Sequence, residues 1–359
     1  MGCFWGGLVP ENAENASSLE RLLNAGVLGL KSFMVPSGIN DFPMTTSSHI
    51  KISLCRWEQG KGSDFPTLAR YKRPLLVHAE LLLDLDGELE VEDGVDNARS
   101  YSTYLKTRPT SMEEAAINQL IALTKETRAG GSAEGAHLYI VHQSDARTSL
   151  NLIKNREVNK VKEILLLFAT VVNGVRADHY VLISVSEDIP DGDTRFKCAP
   201  AIRDAANKEK LWDALLDGDI DMLSSDHSPT VPEMILLDEG DFLKAWGGIS
   251  SLQFVLPATW TYGRKYGITF EQLASCAYLI IVLVQGAIAG NQADIVVWEP
   301  DVEFDLDNDH PVHIKHPSIS AYMGSRLSGK VLATFAHGNL VYKEGNHASH
   351  ACALPILHR

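Results

Sequence analysis

Four side chains able to hold a metal ion or move a proton each sit at or near the end of a short apolar run: Lys31 in LGLKSFM, His78 in LLVHAE, His142 in LYIVHQS and Asp226 in DMLSSDH. Two neutral imidazoles and a carboxylate suit a borderline ion such as Zn2+, and a site that keeps an open position activates water. The lysine is the unusual member, because an ammonium repels cations. Burial depresses a lysine's pKa and frees a nucleophilic amine. That amine can add CO2 to become a carbamate, whose two anionic oxygens could bridge metal ions about 3.5 to 4 Å apart. A Schiff base with a carbonyl substrate is the other use for such an amine. Taken singly, each residue has a plainer reading. Either histidine could be a hydrogen-bonded core residue, Asp226 a cap in SSDHSP, and Lys31 a side chain that snorkels to the surface. The conjunction of the four is what points to a shared site.

The elements around them must bring residues far apart in sequence together. From Phe4 to about Asp226, apolar runs alternate with amphipathic stretches: FWGGLVP, helical NASSLERLLNAG, VLGLKSFM, RPLLVHAE, helical SMEEAAINQLIALTKETR, AHLYIVHQS, ARTSLNLIKN, KEILLLFATVV, NKEKLWDALLDG and DIDMLSSDHSP. Repeated strand and helix units with near-continuous apolar strands predict a parallel sheet covered on both faces. In a parallel β/α barrel the C-terminal strand ends form the active-site mouth. One unit takes about 30 residues or more, so the spacing puts the four residues on strands n, n+1, n+2 and n+4. After Gly290 the pattern changes to strands without helices, ADIVVWEP and GKVLATFAHGNLVYKEG, so residues 1–290 read as the main α/β domain and 291–359 as a small β appendage. The polar stretch WEQGKGSDFPT, from Trp57 to Thr67, reads as a surface loop or insertion.

Composition narrows the partners. The 359 residues are 45% hydrophobic and 22% charged, ordinary for a folded, water-soluble chain, and the net charge of -14 argues against a nucleic-acid surface. A small molecule or a protein partner fits better. The five cysteines are far apart and form no C-x-x-C pair, which argues against a zinc knuckle or a disulfide framework and points to a reducing compartment. AYLIIVLV, from Ala277 to Val284, falls far short of the ~20 residues needed to span a bilayer, so no membrane span is expected.

The chain strongly resembles the plant-type allantoinases, cyclic amidohydrolases of the metal-dependent amidohydrolase superfamily. The stretches that carry the resemblance are FWGGLVPENA, LLNAGVLGLKSFMVPSGINDFPMT, YKRPLLVHAE, ARSYSTYLKTRP, DGDTRFKCAPAIRDAANKEKLW, GDIDMLSSDHSPTVPE, AWGGISSLQFVLP and HPSISAYMGSRLSGKV. The resemblance implies a (β/α)8 TIM-type barrel with a small C-terminal β-sandwich portion, a site for two zinc ions, and hydrolysis of allantoin to allantoate. It implies that Lys31 is the carboxylated bridging lysine and that His78 and His142 hold one metal. Asp226 would bind the other metal and act as general base, with Cys198 in KCAP and Ser228 in DHSP near the substrate. It leaves a homo-oligomer open, and associates the chain with the endoplasmic reticulum or cytoplasm.

Departures from the family pattern are local. The His-x-His pair that holds the family's second metal occurs nowhere in the chain. The resemblance starts near the third barrel strand, which predicts a barrel lacking its first strands. HPVHIKH, from His310 to His316, has the wrong spacing to replace the pair and lies in the β appendage. A Glu-Thr-Cys-Pro-His-Tyr segment retains only His179 and Tyr180, and an Arg-Pro-Ala segment is replaced by CAYLIIVLVQGAIAG. Three functions follow: an allantoinase; a dihydropyrimidinase or dihydroorotase relative, against which FMVPSGINDFP argues; or an inactive fragment or paralogue that only associates with full-length subunits.

Overall fold

A computed structural model of the chain describes residues 4–54, 67–83, 97–123, 137–158, 172–274, 276 and 293–350. The first elements are β1 (Gly6–Gly7), α1 (Pro10–Ala13), α2 (Ala16–Asn24), β2 (Leu30–Phe33), α3 (Ser47–Leu54), α4 (Thr67–Tyr71) and β3 (Pro74–His78). There follow α5 (Tyr101–Lys106), α6 (Thr110–Leu123), β4 (His137–Val141), α7 (Ser149–Val158) and β5 (Val172–Asp178). The remainder comprises α8 (His179–Ile183), α9 (Ala205–Leu216), β6 (Met222–Ser224), α10 (Pro232–Ile235), α11 (Val255–Gly263), β7 (Ile295–Asp305), β8 (Arg326–Ala336), β9 (Asn339–Lys343) and β10 (Asn346–His347). Two compact units emerge, one built from Met1–Asp84 and Thr110–Arg176, the other from Leu85–Pro109 and Ala177–Ala353.

In the first unit, β1, β2, β3, β4 and β5 pair in that order and every pairing is parallel. The helices between them form for local reasons. The side chain of Asn15 accepts from the Ser18 N–H at the start of α2, Leu19 and Leu23 lie one turn apart on its buried face, and Gly26 ends it with φ 98°. On α6 the buried residues Met112, Ala116, Ile117 and Leu120 repeat at helical spacing. Along the strands, Leu30, Leu75, Val77, Leu138 and Ile140 are 0–1% exposed. Each such side chain contributes about 1.5–3 kcal/mol on burial, so this face fixes which side of β2, β3 and β4 looks inward.

The second unit carries its own core. Asp204 caps α9 by accepting from Asn207 N–H, and Trp212 on that helix is fully buried, its Nε1–H donating to Leu182 O at 2.7 Å. The last four strands make an antiparallel sheet of order β10-β9-β8-β7. Trp260 on α11 joins it by packing at 5.5 Å between ring centroids on Trp298 and donating to Pro300 O. A parallel α/β sheet and an all-antiparallel C-terminal sheet thus match the two sequence patterns. The proposed insertion from Trp57 to Thr67, apart from Thr67 at the start of α4, the stretch 277–290 and most of KEILLLFATVV lie outside the described residues. No helix among the described residues is long and apolar enough to cross a membrane.

Candidate active site

Parallel register aligns the chemistry-bearing strands. Phe33 stands beside His78 and Lys31 beside Leu76, while His78 stands beside Val141. Because strand side chains alternate, Lys31, Phe33, Leu76 and Tyr139 share the partly accessible face, opposite the buried Leu30, Ser32, Val77 and Ile140. Lys31 is the second residue of β2, not its end; its long side chain covers the difference. His142 follows β4 directly, and continued alternation would turn it to the other face. Instead it adopts φ 67°, a left-handed conformation uncommon for a residue with a Cβ. Its Nε2 then lies 3.1 Å from Lys31 Nζ. The His78 ring is 5.4 Å from the His142 ring and stacks at 5.1 Å on Phe33, over which Lys31 Nζ sits at 4.7 Å.

Two buried carboxylates brace this group. Glu80, fully buried, lies with Oε2 2.7 Å from His78 Nε2. Glu113 on α6 accepts through Oε2 from Ser144 N–H, Asp145 N–H and Gln143 Nε2–H at 3.0, 3.1 and 3.2 Å, which ties down the segment after His142. Asp145 in turn accepts from the N–H groups of Arg147, Thr148 and Ser149 at the start of α7. Neither glutamate stood out in the sequence. Glu80 could have been found as a charged residue two places beyond an apolar strand, whereas nothing local links Glu113 to His142.

The second unit holds the other candidates. Asp226 lies just past β6 with φ 38°, again left-handed, and Tyr180 O–H donates to its Oδ2 at 3.4 Å. Its carbonyl accepts from Ser228 O–H at 2.7 Å. The neighbouring His227 is pushed below the ordinary histidine pKa by burial, and its Nδ1 accepts from Ser251 N–H and Leu252 N–H. Cys198 is buried, with its thiol on Pro200 O and its own carbonyl taking Tyr104 O–H. Gly248, at φ 141°, links the two loops: its N–H donates to Lys197 O, and a Cβ there would meet Ser228 at 2.8 Å. Lys197 is driven down to about 8 by burial, then by the Arg108 charge, while its amine donates to Leu243 O and Ala245 O.

Lys31, His78 and His142 therefore meet in one unit, and Asp226, Ser228 and Cys198 belong to the other. Among the described residues no group of three or more His, Cys, Asp and Glu side chains could hold a metal, HPVHIKH included. The donors that do meet are two imidazoles and an amine. This set fits one divalent ion if the amine is carboxylated, since that replaces a competing cation by an anionic oxygen ligand.

No protein-family model matches the chain. It is 60% identical over 356 residues to the allantoinase of Arabidopsis thaliana, a match that covers 97% of this chain and 65% of that protein. A probable allantoinase of Oryza sativa subsp. japonica is 56% identical, covering 99% and 67% respectively, and the allantoinase of Streptomyces avermitilis is 34% identical, covering 95% and 69%. The chain thus spans about two thirds of the length of these curated relatives. Among solved structures, it resembles an L-hydantoinase (dihydropyrimidinase) from Arthrobacter aurescens with a TM-score of 0.77, 21% identity and coverage of 96% of this chain and 71% of that one. A dihydropyrimidinase from Brevibacillus agri gives 0.78, 21%, 99% and 73%. These structural likenesses show a hydantoinase-type amidohydrolase fold.

Proposed function

The chain belongs to the allantoinase family of cyclic amide hydrolases, and from that membership we propose that its site serves the opening of the ring amide of allantoin to allantoate. The observation that carries the reading is the meeting of Lys31, His78 and His142 on and just after three adjacent parallel strands. In this reading the parallel strands belong to a β/α barrel, with residues 1–290 as the barrel part and 291–359 as a β-sandwich portion.

The carbamate of Lys31, formed when the neutral amine adds CO2 and loses a proton, would join His78 and His142 as ligands of one Zn2+. That ion supplies Lewis-acid polarisation of the amide carbonyl and a water acidic enough to attack near neutral pH. Asp226 serves as the general base, taking the proton of the attacking water and returning it to the leaving ring nitrogen. Cys198 and Ser228 would line the substrate. As a second ion's ligand Asp226 has no His-x-His pair to assist it in this sequence.

The test is to supply the chain with Zn2+ and bicarbonate, then measure bound metal and allantoate production. Turnover of allantoin with bound zinc is the expected result. Hydrolysis of hydantoin or dihydrouracil in preference to allantoin would support the dihydropyrimidinase alternative. Bound zinc of one ion or none, with no turnover of any cyclic amide, would overturn the enzyme reading in favour of the inactive fragment or paralogue.

A further inference from the structure

The His78 imidazole has two nitrogens, and only one can face a metal. Its Nε2 lies 2.7 Å from Glu80 Oε2, with His78 3% exposed and Glu80 0% exposed. An ionised carboxylate only accepts hydrogen bonds, so with Glu80 ionised and the ring neutral, as a metal ligand must be, this contact takes the hydrogen on Nε2 and leaves the lone pair on Nδ1. The ring's remaining freedom is rotation about its bond to Cβ. The flat stack on Phe33, at 27° and 5.1 Å, opposes that rotation. Phe33 itself is fixed beside His78 by the β2–β3 register.

We propose that Glu80 is a positioning residue that locks His78 as the Nε2–H tautomer and so presents Nδ1 as the ligating atom. The inference rests on the reading of His78 as a metal ligand, and it adds a residue outside that ligand set. A carboxylate behind a ligating histidine also raises the basicity of the nitrogen opposite. His142 is served differently: its Nε2 faces Lys31 Nζ, and its backbone is held through the Glu113 segment. The two histidines are therefore braced by separate carboxylates, one acting on the ring and one on the chain.

Long-range 1H–15N correlation spectra of the metal-free, 15N-labelled chain read the tautomer directly, with His78→Gln to assign the resonances. The wild type should show His78 as Nε2–H; Glu80→Gln, near in shape but able to donate or accept, should show a mixture, and Glu80→Asp should restore part of the preference. In a chelator-competition titration with Zn2+ alone, Glu80→Gln should weaken binding about 10–100-fold, with Glu80→Asp intermediate. Nδ1–H in the wild type, or a tautomer and zinc affinity unchanged in a Glu80→Gln protein that melts like the wild type, would overturn the inference. If Glu80→Gln does not fold, the wild-type tautomer and Glu80→Asp still decide. Fixed Nε2–H that Glu80→Gln releases, in a wild type that takes up no zinc, supports the role of Glu80 and overturns the metal-centre reading instead.

Discussion

Lys31 Nζ stands 3.1 Å from His142 Nε2, although the two residues lie 111 positions apart. An ammonium and the lone pair of a metal-ligating imidazole compete for the same place, so a metal site here demands that the amine change its chemistry. Lys31→Ala should remove a 13C signal acquired from labelled bicarbonate and abolish zinc uptake, while the melting temperature changes little because the side chain is only half-buried. Retention of both the label and the zinc would show that the lysine is structural.

Glu113 gives its Oε2 to three buried donors around His142. Glu113→Ala strips an acceptor from all three, and leaving a buried donor unsatisfied costs about 1–3 kcal/mol. Urea unfolding should show a loss of about 3 kcal/mol or more, with Glu113→Gln losing about half of that because one acceptor oxygen remains. A change within about 0.5 kcal/mol, the range of an ordinary surface substitution, would mean that the segment is held by other contacts.

These relationships set the limit of what the sequence makes legible. The strands ending at His78 and Val141 are short apolar runs, and α2 has both an Asn15 cap and leucines one turn apart, so local pattern suffices. His78, His142 and Lys31 were recognisable because each interrupts such a run. The left-handed backbone at His142 and Asp226 was not, since neither residue is a glycine that would announce it. The bracing by Glu113 depends on a contact spanning about thirty residues, set by how α6 packs on the sheet, and no local pattern encodes it. β1 is reduced to two residues, shorter than FWGGLVP suggests, because only Gly6 and Gly7 pair with β2.

Gly248 should not tolerate a side chain. Its φ of 141° strains any other residue, and an added Cβ would approach both Ser228 Cβ and Ser228 O at 2.8 Å. Gly248→Ala should cost about 1–3 kcal/mol in urea unfolding because the new Cβ must displace Ser228. Gly218→Ala provides the contrast: φ is 80° but nothing lies within 4 Å, so only the conformational cost of about 1 kcal/mol remains. Equal losses at the two positions would show that the approach to Ser228 is unimportant.

Lys197 gives the second unit a pH dependence of definite sign. Burial, then the like charge of Arg108, lower its pKa from 10.5 to about 8, with Asp241 opposing. Below pH about 8 both native and unfolded chains hold the proton, and the native state carries the cost of a partly buried ammonium. Between about 8 and 10.5 the unfolded chain still binds a proton that the native chain has shed, so this group's contribution to stability rises with pH through that window. The tyrosines act in the opposite sense near the alkaline end, since burial raises Tyr101 and Tyr262 and their native states hold protons that the unfolded chain loses first. Their effect is common to both proteins when wild type is compared with Lys197→Met. Urea unfolding from about pH 7 to 10 should therefore show the wild type gaining stability relative to the variant as pH rises. The variant is expected to lose the bonds to Leu243 O and Ala245 O at every pH, which offsets the curves without changing their relative slope. Parallel curves across the window would show that Lys197 keeps its ordinary affinity for the proton.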